Sequence, residues 1–176
     1  ATTNMVTTLF CAAHAMNGDQ DLLIAYGDIV YETRVLTALL TVDAPMVVMI
    51  DRQWLRYWRL RLEDPLVDAE TLKLGPDGRL RELGKKPRDY SEIEGQYMGL
   101  IKVRADHVRK MIKAYTLMDR SAIYDGKNFD NMYMTSFIQY LIDGGWDVRV
   151  AETDNGWLEV DSISDLQRYE AMAAEG

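Results

Sequence analysis

Apolar residues follow two rhythms along this chain, unbroken runs and helical spacings. Leu22-Leu23-Ile24-Ala25-Tyr26-Gly27-Asp28 is a run that stops abruptly in Gly-Asp, and Pro45-Met46-Val47-Val48-Met49-Ile50-Asp51 is a second run closed by an acid. Runs of this kind, bounded by turn chemistry, read as strands buried on both faces, as inside a parallel sheet covered by helices. Residues 4–16 read as a helix with Met5, Leu9, Ala12, Ala13 and Met16 on one face and Asn17-Gly18 as its stop. A helix from about Glu32 follows, with Val35, Leu36, Leu39 and Leu40 as its stripe.

From Trp54 to Leu62 the pattern alternates, Trp58, Leu60 and Leu62 against Arg59, Arg61 and Glu63, which predicts a half-exposed strand. Gly75-Pro76-Asp77-Gly78 is a turn, since Pro presets one dihedral and Gly supplies the positive one, so residues 71–74 and 80–84 pair as a hairpin. Residues 96–103 read as a strand in which Gly99 marks a bulge or a close approach to the backbone. Two amphipathic helices come next. The first carries Val108, Met111, Ile112 and Tyr115; the second carries Met132, Phe137, Ile138 and Leu141, with Asp130 as its cap and Gly144-Gly145 as its end. Residues 146–150 and 157–160 are short strands. A last helix opens on Ser162 and Asp165 in capping-box spacing and buries Leu166, Tyr169 and Met172. The expected fold is a single α/β domain over residues 1–176. Its mixed, mostly parallel central sheet is flanked by helices, with extra antiparallel strands in the middle portion.

The 176 residues suffice to bury a core without staples, and the one cysteine excludes an internal disulfide. Cys11 lies in an alanine-rich helical stretch, where a free thiol is expected to be buried and inert. No apolar run is long enough to cross a bilayer and no leader is visible, so a cytoplasmic protein without a membrane partner is expected. The net charge of −8 argues against a nucleic-acid partner. Small anionic ligands remain compatible with it, because basic residues cluster at Arg52, Arg56, Arg59 and Arg61 and at Lys85 and Lys86.

Candidate chemistry sits at two acidic strand ends. Asp28 at the rim of a sheet is placed to hold a hard cation such as Mg²⁺, although the same position also starts a turn or caps a helix. In Trp157-Leu158-Glu159-Val160-Asp161-Ser162, alternation puts Glu159 and Asp161 on one side of the strand, so either can share a metal with Asp28. Asp161 and Ser162 serve equally as caps for the final helix.

Thr3-Asn4-Met5-Val6, Tyr26-Gly27-Asp28-Ile29, Gly84-Lys85-Lys86-Pro87, Glu94-Gly95-Gln96-Tyr97-Met98-Gly99-Leu100 and the late Glu159-Val160-Asp161 occur in that order. In this order they resemble the nucleotidyltransferases that activate phosphorylated small molecules, most of all the phosphocholine cytidylyltransferase-like branch. The resemblance covers essentially the whole chain. It implies a Rossmann-like nucleotidyltransferase fold and transfer of a nucleotidyl group, CMP from CTP in that branch, to phosphocholine, 2-aminoethylphosphonate or a sugar 1-phosphate, with release of pyrophosphate. It also implies Mg²⁺ on Asp28 and Asp161, with Glu159 as a further ligand, and Lys86 on phosphate. Arg59, Arg61, Glu94 and Gly95 are implied at the substrate, and Trp58 at the position of the aromatic that faces a quaternary ammonium. Core packing is the other reading of Trp58, and a solvated face the other reading of the arginines.

Members of this superfamily begin with a strand and a glycine-rich loop, followed by an Arg and a Lys that grip the triphosphate; here the first residues already read as helix. That departure implies a transferase lacking its N-terminal part, incomplete alone and belonging to a longer chain, or else a non-catalytic binding module derived from one. An exposed sheet edge would then favour homodimers.

Overall fold

The computed structural model of the protein describes residues 3–174. Its elements are α1 (Met5–Cys11), β1 (Leu22–Ala25), β2 (Ile29–Tyr31), α2 (Thr33–Thr41), β3 (Met46–Asp51) and α3 (Trp54–Arg61), then the hairpin β4 (Leu72–Leu74) and β5 (Leu80–Leu83). They continue with β6 (Gln96–Val103), α4 (Ala105–Leu117), the two-residue strands β7 (Ile123–Tyr124) and β8 (Lys127–Asn128), α5 (Met134–Asp143), β9 (Val148–Thr153), β10 (Trp157–Glu159) and α6 (Ile163–Ala174).

The central sheet has the order β1, β6, β3, β9. Strands β3 and β9 pair in parallel, and β6 runs antiparallel to both of its neighbours. Three strands therefore point one way around one reversed strand, the mixed α/β sheet that the sequence predicts. β3 is buried along its whole length, and its period-two alternation feeds two cores. Met46, Val48 and Ile50 pack with α1, α4, α5 and the hairpin, while Val47 and Met49 pack with α2, α3, Trp157 and Tyr169.

The first run behaves differently from expectation. β1 is the edge of the sheet, paired antiparallel with β6 and alternating between half-buried and exposed, rather than a parallel strand buried on both faces. After Gly27-Asp28 the chain leaves this sheet, and β2 pairs antiparallel with β10 in a separate two-stranded sheet. Gly99 does mark a bulge. The register between β3 and β6 shifts there, its φ is +78°, and a Cβ would lie 2.6 Å from the Tyr26 ring.

The segment 54–61 is a helix, not an alternating strand. Trp54, Tyr57 and Trp58, spaced i, i+3, i+4, are its buried face, and this signal outweighs the short alternation that follows it. The first helix ends at Cys11, ahead of a 3-10 turn over Ala13–Ala15. Its core face is Val6 and Phe10, which leaves Cys11 on the outer side and exposed. Asn4 caps it, its side chain accepting from Met5 N. Asp130 does not cap α5, which starts at Met134 after a separate 3-10 turn, Phe129–Asn131. In α2, Leu40 is exposed, and in α6 only Tyr169 of the three expected apolar contacts is buried. Among the described residues no helix is long and apolar enough to cross a membrane.

Candidate active site

The two acidic strand ends meet because β2 and β10 pair. Ile29 lies opposite Glu159, and one step beyond that register Val160 N donates to Asp28 O at 2.8 Å. Asp28 is thus fixed by its backbone directly across from the Glu159-Val160-Asp161 segment. One carboxylate oxygen from each of Asp28, Glu159 and Asp161 lies within 4.8 Å of the others. Three hard oxygen donors at such separations suit a divalent cation of the Mg²⁺ type, which takes few protein carboxylates and completes its shell with water or phosphate.

Each approach to this edge is braced. Upstream, Tyr26 N donates to Gly99 O, and the absent side chain of Gly99 lets the Tyr26 side chain approach β6 closely. Downstream, Asp51, fully buried at the end of β3, accepts from Trp157 Nε1 at 3.0 Å and from the backbone N of Asn155 and Gln53. The acid that closes the second apolar run is therefore the clamp that seats β10. The Tyr57 and Tyr169 hydroxyls, 2.7 Å apart, hold Glu159: its N–H donates to Tyr57 Oη, and its carbonyl accepts from Tyr169. Ser162 and Asp165 form the predicted capping box, with Asp165 N donating to Ser162 Oγ and Ser162 N to Asp165 Oδ2.

Arg61 closes the cluster from the far side. Because it follows Trp54, Tyr57 and Trp58 at helical spacing, it projects from the buried face of α3. Nη1 meets Glu159 Oε2 at 2.7 Å, Nη2 meets Asp161 Oδ2 at 2.5 Å and Nε lies 3.5 Å from Asp165. The guanidinium also lies over the Tyr57 ring. Burial pushes the Glu159 carboxyl above the ordinary glutamate range, the Arg61 hydrogen bond opposes this, and Asp161 and Asp28 add to the rise. The same ion pairs hold Arg61 firmly in its charged form.

The remaining predicted residues lie elsewhere. Trp58 is only 5% exposed, packs edge-on to Trp54 and Tyr57, and donates from Nε1 to Asp68; it is core, and its expected role against a quaternary ammonium is corrected accordingly. Arg61 is engaged by carboxylates rather than facing an acceptor, while Arg59 lies on the exposed side of α3. Glu94 is exposed, and its carboxylate accepts from Leu74 N, so it secures the hairpin. Gly95 is buried where a Cβ would lie 2.9 Å from Ile50. Lys86 donates to the carbonyls of Leu66 and Val67. It lines a cavity of about 560 Å³ with Asp68, Glu70, Lys85, Asp125 and Tyr133.

Sequence reasoning did not single out Glu70. Burial pushes its carboxyl up to about 7, with Asp68 and Asp125 adding to the rise, against a weak hydrogen bond from Thr135. The cavity and the acidic edge lie at two ends of one stretch of β6. Gln96 grips the Glu70 backbone through two hydrogen bonds, and Gly99 receives Tyr26.

No protein-family model matches the chain. Among solved structures, the inositol-1-phosphate CTP transferase from T. maritima superposes with a TM-score of 0.66 at 17% identity, over 98% of this chain and 62% of that one. A protein described as a glucose-1-phosphate thymidylyltransferase, from Bacillus anthracis, gives 0.65 at 15% identity, over 98% and 61%. The chain shares its fold with these two transferases. In sequence, the chain is 43% identical over 169 residues to the CTP:phosphoglutamine cytidylyltransferase of Campylobacter jejuni subsp. jejuni. That match takes in 94% of this chain and 66% of the relative, so the chain spans just under two thirds of the length of the protein it resembles.

Proposed function

We propose that this chain carries the metal-binding edge and part of the acceptor side of a cytidylyltransferase that moves CMP from CTP to a phosphorylated small molecule. The observation that carries this reading is the convergence of Asp28, Glu159 and Asp161 within 4.8 Å. The name of the 43% identical relative supports CTP as donor and favours a phosphorylated amino acid resembling phosphoglutamine as acceptor. Phosphocholine, 2-aminoethylphosphonate and sugar 1-phosphates serve as comparison substrates.

In the proposed reaction an acceptor phosphate oxygen forms a bond to the α-phosphorus of CTP. The bond from that phosphorus to the oxygen bridging the α- and β-phosphates breaks, and pyrophosphate leaves with the electron pair. An anionic nucleophile needs no general base, so rate enhancement rests on alignment and on neutralising charge. Asp28 and Asp161, with Glu159 beside them, would hold Mg²⁺, which when bound supplies Lewis-acid neutralisation of the α-phosphate. Lys86 has three N–H donors, and two already reach the Leu66 and Val67 carbonyls, which leaves one for the acceptor phosphate.

The test is pyrophosphate release by the full-length protein with CTP and each acceptor. Asp28→Ala is expected to abolish it. Turnover unchanged by that substitution would remove Asp28 from the mechanism.

A further inference from the structure

Arg61 is the one cation that contacts both Glu159 and Asp161 among the described residues. Its side chain is 12% exposed and is anchored by Glu159, Asp161 and Asp165, with the Tyr57 ring beneath it. A residue held at so many points does not swing away to meet a ligand. Its positive charge is a permanent part of the acidic edge. The fork takes Oε2 of Glu159 and Oδ2 of Asp161 and leaves the second oxygen of each carboxylate outside those bonds.

We propose that Arg61 is a fixed counter-charge that weakens the hold of Asp28, Glu159 and Asp161 on a bare divalent cation, so that the ion is retained together with an anionic ligand. This rests on the metal-site reading given under Proposed function. Three carboxylates with no cation among them would bind a free divalent ion tightly; opposed by one guanidinium, they bind it less well. A unit charge a few ångströms from a divalent ion changes its affinity on the order of tenfold, even at the dielectric constant of water.

The experiment measures Mn²⁺ binding without nucleotide, through the EPR signal of the free ion, in wild type, Arg61→Met, Arg61→Lys and Asp28→Asn, with folding checked by near-UV circular dichroism. Arg61→Met is expected to bind Mn²⁺ about tenfold more tightly. Arg61→Lys, which keeps the charge, stays close to wild type, and Asp28→Asn binds poorly. Should the methionine variant fail to fold, Arg61→Gln removes the charge while keeping a donor for the two carboxylates, and the same tightening is expected. A purely structural role for Arg61 predicts the opposite sign, since loosened carboxylates lose affinity. Unchanged or weaker binding in the neutral variants, with Asp28→Asn still impaired, overturns the role of Arg61 and leaves the metal site standing. Mn²⁺ binding indifferent to Asp28→Asn overturns both.

Discussion

Glu70→Gln is expected to stabilise the protein above neutral pH and to do nothing in acid. The carboxyl is half-buried between Ala69 and Thr71, has Asp68 and Asp125 as like-charged neighbours and receives only a 3.4 Å contact from Thr135. Its folded-state pKa of about 7 stands above the ordinary value of 4.5. The native state therefore holds the proton more tightly than the unfolded chain between those two values, and stability falls as pH rises through that window. Below about 4.5 the residue is neutral in both states and has no effect; above about 7 the full penalty applies. A gap of some two and a half pKa units corresponds to about 3 kcal/mol, an upper limit on what a neutral isostere can recover.

The assay is urea unfolding followed by tryptophan fluorescence from pH 4 to pH 8, taking the difference between variant and wild type at each pH. Carboxylates that titrate alike in both proteins cancel in that difference. The difference is expected to rise from near zero in acid to a plateau above pH 7. A flat difference, or one largest in acid, would refute it.

Asp51→Asn keeps one acceptor oxygen but sets an amide N–H₂ against donors that the buried carboxylate now satisfies. A loss of about 2 kcal/mol is expected in equilibrium unfolding, together with faster hydrogen exchange in β10. Trp58→Ala should lower the unfolding free energy by about 3 to 5 kcal/mol, as for other large buried aromatics. It should impair all acceptors alike in steady-state kinetics, and selective loss with phosphocholine would restore a cation-binding role for the indole.

The legible parts of the fold were those whose signals are local. The β3 run, the Gly75-Pro76-Asp77-Gly78 hairpin, the β6 glycine and the Ser162/Asp165 box each announce themselves within a few residues. The neighbours of a strand are not written beside it. Nothing near Leu22–Ala25 says that it lies at an edge, or that the chain changes sheets after Gly27. For α3, two periodicities overlapped, and the heavier aromatic side chains at positions 54, 57 and 58 decided the outcome. Asp28 and Asp161 were readable as candidates from their strand-end positions and the order of motifs. The partners of Arg61 were not, because salt bridges to Glu159 and Asp161 cross about a hundred residues of chain. Glu70 gave no pattern at all, because its altered acidity arises from tertiary enclosure.

The antiparallel pairing of Ile29–Tyr31 with Trp157–Glu159 has a consequence for biogenesis. During translation the early aspartate leaves the ribosome long before its late counterparts exist, so a nascent chain can collapse around β3 and β6 while the acidic trio is still unassembled. The central sheet also awaits β9, and the three carboxylates come together only after the segment 157–161 has been made. Chains stalled or clipped ahead of Trp157 would lack two of the three converging carboxylates, however well the rest of them had condensed.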